Sequence, residues 1–244
     1  MRYRKLMRYR DLYQIAKSID KDYPVSEEIA NSFFWRLLVK KPSYFLSAIF
    51  ISFGVKPNTV TYLSLYLSII AFLVFVFLPS EYYLLAAILL NLWNILDAVD
   101  GNIARYTGKT SLFGHFLDTV ACYFTIALSF LAIGLAADQS NNRFDIFPDL
   151  NYLLLGALVS ISNILMRLIY QNKKNCFSKL SHLEVKNDDV PFVRKVDIEL
   201  GISGFFMVAV ILSSIFSTFN IMVLFYSLYY ITALMIFSFK ELRE

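Results

Sequence analysis

Three aspartates and an arginine stand where an otherwise lipid-compatible sequence ends. Asp97, Asp100 and Arg105 close the apolar run YYLLAAILLNLWNIL, and Asp118 follows within DAVDGNIARYTGKTSLFGHFLD. Asp97, Asp100, Gly101, Ala104 and Arg105 are spaced i, i+3, i+4, i+7 and i+8, so a helix carries all five on one face. Gly114, Asp118 and Cys122 share a face of the next helix at i, i+4 and i+8, with His115 one turn before Asp118. Two such helices joined by a loop of about eight residues can run antiparallel and bring the acids together. That arrangement is unfavourable alone: each aspartate costs roughly 2.5 to 3.5 kcal/mol near a bilayer centre, and like charges repel. One arginine cannot balance three carboxylates, whereas a divalent cation can. An all-oxygen donor set selects Mg²⁺ or Mn²⁺ over zinc or copper. Gly101, Ala104 and Gly114 leave this face without bulk, and with Arg105 beside them the surface suits a phosphate or pyrophosphate group.

The elements that must hold these residues follow from composition. Hydrophobic residues make up 57% of 244, well above the soluble range, which makes the chain a polytopic membrane protein. Apolar runs of bilayer length cover Thr59 to Leu78, Tyr82 to Ala104, Gly114 to Ala137, Leu150 to Tyr170, Leu200 to Ser217 and Ile221 to Phe239. The expected fold is therefore all-α, with six transmembrane helices. Lys and Arg crowd the first 58 residues and the segment Gln171 to Asp197, while the turn at Pro79 and Ser80 has none. By the positive-inside rule both termini, and with them the DAVDGNIAR stretch, face the cytoplasm.

The basic N-terminus MRYRKLMRYR is followed by DLYQIAKSIDKDYP, which lacks the apolar core of a cleaved signal. NSFFWRLLVKK and SYFLSAIFISFG are too short to span, so 27–54 is expected as helices at the cytoplasmic interface. This divides the chain into a juxtamembrane amphipathic segment, 1–54, and a six-span membrane domain, 55–244. Orientation and attraction to lipid headgroups account for the basic residues, and no nucleic-acid partner is expected. Cys122 and Cys176, one in a span and one in a cytoplasmic loop, imply no disulfide framework.

Asp97, Asp100, Gly101, Ala104, Arg105, Gly114 and Asp118 match, in order and spacing, DxxDGxxAR followed after eight residues by GxxxD. In this the chain resembles the CDP-alcohol phosphatidyltransferases. The upstream KPNTVT is similar to the segment that opens the first span in that family, and the six-span layout agrees over some 190 residues. The resemblance implies transfer of a phosphoryl-linked alcohol from a CDP-alcohol, such as CDP-diacylglycerol, to an acceptor hydroxyl with release of CMP. It implies that Asp97, Asp100 and Asp118 ligate Mg²⁺ or Mn²⁺, and that Lys56, Asn58, Thr61, Gly101, Ala104, Arg105 and Gly114 line the CDP site, with Arg105 near the phosphates. A homodimer in the membrane is also compatible with it.

The chain departs from the family signature at one place. The pattern ends GxxxDxxxD, and its last aspartate is a metal ligand and the base for the acceptor hydroxyl; here Cys122 stands instead. Sulfur is a soft partner for Mg²⁺ and a thiol a poor general base. His115, an imidazole near the acids, could take the proton, as could Cys122 itself. A third reading is a catalytically silent protein that binds a CDP-linked ligand. Arg167, near the end of the fourth span, could hold an anionic acceptor or reach to headgroups. Asp197 and Glu199 suit a helix N-terminus, and Asp188 and Asp189 a solvated loop. Intramembrane carboxylates also occur in ion transporters, a class that nucleotide dependence separates from the others.

Overall fold

A computed structural model describes residues 9–21, 23, 32–140, 142–144, 147–178 and 198–241, all helical or in short connections. Nine α-helices with full bounds are seen among them. Three precede the first span: α1 (Tyr9–Lys21), α2 (Phe33–Leu38) and α3 (Lys40–Ser52). Then follow α4 (Pro57–Phe77), α5 (Tyr83–Thr107), α6 (Leu112–Gln139), α7 (Tyr152–Ser178), α8 (Phe205–Phe216) and α9 (Phe219–Glu241). Six stretches are long and apolar enough to cross a bilayer: Pro57–Phe77, Ser80–Thr107, Leu112–Gln139, Tyr152–Asn172, Ile198–Phe216 and Phe219–Phe239. All six expected spans are present, with most ends moved by two or three residues. Asp188, Asp189 and Asp197 lie outside the described residues, as does the side chain of Cys176.

Contacts group the chain into two compact units. The first comprises Met1–Leu67, Leu89–Cys122 and Lys195–Val208; the second comprises Ser68–Ile88, Tyr123–Arg194 and Ala209–Glu244.

In the first unit the segment before the spans packs on protein. Ile15 and Ile19 of α1 are buried against Tyr44 and Ala48 of α3, and Lys40 Nζ lies 3.3 Å from Asp20 Oδ1. Leu46, Phe50 and Ile51 of α3 pack in turn on a core of Val60 from α4 and Leu96, Val99 and Ile103 from α5. Short α2 is fixed at its start twice over. Ser32 Oγ accepts from Trp35 N at 2.9 Å, and both carboxylate oxygens of Glu199 accept from Phe33 N at 2.8 and 2.9 Å. Glu199, at the start of the fifth span, thus also caps α2, a helix distant in sequence.

In the second unit aromatic rings fill the space between helices. Phe75, Tyr83 and Phe219 pack with centroids 5.2 to 5.8 Å apart, and Phe130 lies 5.7 Å from Tyr226 and 5.5 Å from Tyr230. Helices α6 and α7 approach so closely that a Cβ at Gly134 would sit 2.7 Å from the Tyr152 carbonyl oxygen. Asp138, at the end of α6, accepts from the backbone N–H groups of Tyr152 and Leu153, each at 2.9 Å, and so caps α7.

Candidate active site

Two glycines shape the backbone around the acidic motif. Helix α3 ends at Gly54, whose φ is 70°; the N–H of Gly54 donates to the Ile51 carbonyl at 2.9 Å and that of Val55 to Phe50 at 3.0 Å. This is a Schellman closure, and Pro57 at the first position of α4 then restarts the chain as a span. Helix α5 ends in the same way at Gly108, with φ 64° and bonds from Gly108 to Arg105 (3.2 Å) and from Lys109 to Ala104 (2.9 Å). Ser111 opens α6 by accepting from Gly114 N at 3.0 Å. The connection between the motif helices is therefore Gly108 to Ser111, half the expected length, because α5 and α6 run on to their caps.

The ends of α4, α5 and α6 enclose a cavity of about 210 Å³. Asn58, Thr61, Asp100, Gly101, Ala104, Arg105, Gly114, His115 and Asp118 all line it, so nine of the residues singled out from sequence meet at one place. Pro57, Lys109, Thr110 and Ser111 complete the wall. The loop residues escaped the sequence reading, although a lysine and two hydroxyls between two helices that bear acids were a usable signal.

Asp100 is 6% exposed, and its carboxylate accepts from the Thr61 hydroxyl at 2.5 Å. Thr61 is itself buried one turn into α4, which ties the opening of the first span to the motif. A Cβ at Gly114 would lie 3.2 Å from Asn58 Oδ1 and 3.1 Å from Ser111 Oγ, so the glycine admits both polar groups. Gly101 has a different part. A Cβ there would meet both terminal nitrogens of Arg105 at 3.4 Å, so the guanidinium lies folded back over the glycine of its own helix. Arg105 Nη2 also donates to Asn102 Oδ1 at 2.9 Å.

The remaining sequence candidates are not among the residues that line this cavity. Lys56 is exposed just before α4 and is not among the lining residues. Asp97 is half-buried on α5, with one carboxylate oxygen fully covered, and does not line the cavity. Cys122, half-buried one turn beyond Asp118, does not line it either. Arg167 belongs to the second unit, where its Nε donates to Asn163 Oδ1 at 2.9 Å. Among the described residues no three His, Cys, Asp or Glu side chains are gathered as a ready metal cage. The donor set still fits a hard divalent ion: two carboxylates, one buried and one half-buried, with hydroxyl oxygens beside them at one cavity.

A six-span helical membrane protein with an acidic, arginine-bearing cavity built on the opening of its first span and the DAVDGNIAR helix is the class these features define. The profile of the CDP-alcohol phosphatidyltransferases matches residues 55–236, and the chain belongs to that family. It is similar to the archaetidylinositol phosphate synthase of Pyrococcus horikoshii, with 41% identity over 85 residues, covering 33% of this chain and 42% of that protein. It is also similar to the phosphatidylinositol phosphate synthase of Streptomyces avermitilis, with 39% identity over 90 residues, covering 37% of this chain and 34% of that one. An uncharacterized protein of Aquifex aeolicus is 37% identical over 82 residues, 34% of this chain and 40% of that protein. Each likeness thus spans less than half the length of the relative matched.

Proposed function

We propose that the protein transfers a substituted phosphate group from a lipid CDP-alcohol to an acceptor hydroxyl and releases CMP. The observation that carries this is the cavity itself, where Asp100, Asp118 and the Arg105 guanidinium border the same space. Arg105 binds the donor phosphates, as a planar fork suits two phosphate oxygens at once. Thr61 holds the Asp100 carboxylate in a fixed direction through its hydroxyl. Lys109 and Ser111 add a cation and a donor from the loop side. Asp100 and Asp118 at the cavity, with Asp97 one turn before Asp100, would hold Mg²⁺ or Mn²⁺, which would offset charge on the pyrophosphate.

In this reading the acceptor oxygen attacks the phosphorus bearing the donor alcohol, the bond from that phosphorus to the CMP oxygen breaks, and the hydroxyl proton passes to His115. His115 lines the cavity and Cys122 does not, which supports the imidazole as base over the thiol. The names of two relatives suggest an inositol phosphate as the acceptor. Both termini and the cavity face the cytoplasm by the distribution of Lys and Arg. Family membership counts against ion transport.

A second reading is favoured by one observation. Cys122 occupies the signature's last aspartate position, so the chain could bind a CDP-alcohol without turning it over. Incubating the full chain in membranes with labelled CDP-diacylglycerol, Mg²⁺ or Mn²⁺ and inositol phosphate separates the two. CMP release supports the transferase; saturable donor binding without CMP release supports the silent binder.

A further inference from the structure

The segment before the spans reaches the motif arginine by two routes. Tyr23, just past α1, places its ring 5.0 Å from Arg105 Cζ, and that ring is held by Trp35 and Tyr44 at 6.0 and 6.1 Å. Trp35 and Tyr44 are both buried, so the aromatic group is anchored in α2 and α3. On the other route Asn102 Nδ2 donates to Ser43 Oγ of α3 at 3.2 Å, while Asn102 Oδ1 accepts from Arg105 Nη2 at 2.9 Å. Ser43 and Asn102 are 0% and 2% exposed, and Ser43 Oγ in turn donates to the Lys40 carbonyl at 2.8 Å. Gly101 supplies the floor of the same guanidinium.

An arginine side chain has several rotatable bonds, and fixing them when a ligand arrives costs affinity. Here the fork is set beforehand by a ring on one side, an amide at one end and a glycine beneath. We infer that Tyr23 and Asn102, the latter braced by Ser43, are positioning residues that pre-set Arg105 for the donor phosphates, making Tyr23 and helices α2 and α3 a working part of the site. This rests on the reading of Arg105 as the phosphate-binding group. The two interactions are a cation–π contact at an exposed arginine and a hydrogen bond from its charged head to a buried amide.

Binding of CDP and of cytidine to the full-length protein, measured together with melting temperature, tests this. Tyr23→Leu and Asn102→Ala should each weaken CDP by about two- to fivefold, the loss of one such interaction at an exposed arginine, and leave cytidine unchanged. Tyr23→Phe keeps the ring and should restore wild-type CDP affinity. In an Arg105→Ala background Tyr23→Leu should have no further effect on CDP, because Tyr23 acts through that side chain. Equal loss of CDP and cytidine affinity, or an undiminished effect of Tyr23→Leu without Arg105, would overturn the inference by showing general destabilisation. Should Asn102→Ala fail to fold, the Tyr23 variants decide alone. A wild-type protein that binds neither CDP nor cytidine overturns the functional reading and this inference with it. Wild-type binding of CDP that Arg105→Ala leaves intact does the same for the role of Arg105.

Discussion

The Thr61 hydroxyl donates to the Asp100 carboxylate at 2.5 Å, joining the first turns of the first span to the centre of the acidic motif. Both groups are buried, so the bond fixes the carboxylate where solvent cannot. Thr61→Val removes the donor at nearly constant volume and leaves a buried acceptor short of a partner, a loss of about 1 to 3 kcal/mol. The expected result is a lower melting temperature and weaker divalent-ion dependence of CMP release, with Thr61→Ser close to wild type. Equal behaviour of the valine and serine variants would show that the bond has no part in the site.

Gly101 discriminates between room for a ligand and room for Arg105. A Cβ there meets the guanidinium at an ordinary contact distance of 3.4 Å, so Gly101→Ala should retain CDP affinity within about twofold. Gly101→Leu must displace the arginine head, and CDP affinity should fall by tenfold or more, as for loss of a charge-assisted pair. Titration of both variants with CDP checks the ordering.

Gly108 is a backbone requirement with no packing component, since nothing lies within 4 Å of where its Cβ would be and its φ is +64°. Gly108→Ala should cost about 1 kcal/mol through left-handed strain alone. Gly108→Asn should recover part of it, because asparagine tolerates that conformation. Thermal melts of the pair give the comparison, and equal melting temperatures for wild type and the alanine variant would remove the glycine from the account of the Lys109–Ser111 loop.

The missing acid of the signature leads to a paired prediction. His115→Gln should lower turnover at least tenfold with donor affinity retained, as removal of a general base does. Cys122→Asp should strengthen Mg²⁺ dependence by adding a hard ligand next to Asp118. Steady-state CMP release over a Mg²⁺ series reads both. A Cys122→Ala variant without activity, beside an active His115→Gln, would transfer the proton to the thiol.

Much of this architecture is legible in the sequence because its signals are local. Span-length apolar runs set the six helices, and the i, i+3, i+4 spacing from Asp97 to Arg105 is a property of one helix. Gly114, His115 and Asp118 come from short-range spacing of the same kind, whereas Asn58 and Thr61 are reached only through the resemblance of KPNTVT to the family. The contacts that orient Arg105 are not local. Ser43 is 59 residues from Asn102, and no periodicity relates them. Trp35 and Tyr44 fall in the segment expected at the membrane interface, and only tertiary packing reveals that both are buried. The close approach of Gly134 to the start of α7 was equally hidden, since one glycine on each helix makes no stripe. Asp97 shows the opposite limit: it shares a helical face with Asp100, yet only Asp100 borders the cavity, because facing the same way does not fix depth along the helix.

Donor-dependent CMP release by the full-length protein in membranes, compared between wild type and Asp100→Asn, tests the central claim most directly. The neutral amide preserves size and removes one hard anionic ligand at the cavity. The account predicts CMP release that requires a CDP-alcohol and Mg²⁺ or Mn²⁺ in the wild type, and its loss in Asp100→Asn with the melting transition retained. CMP release that persists in Asp100→Asn, or that is indifferent to removal of divalent ions, would contradict it.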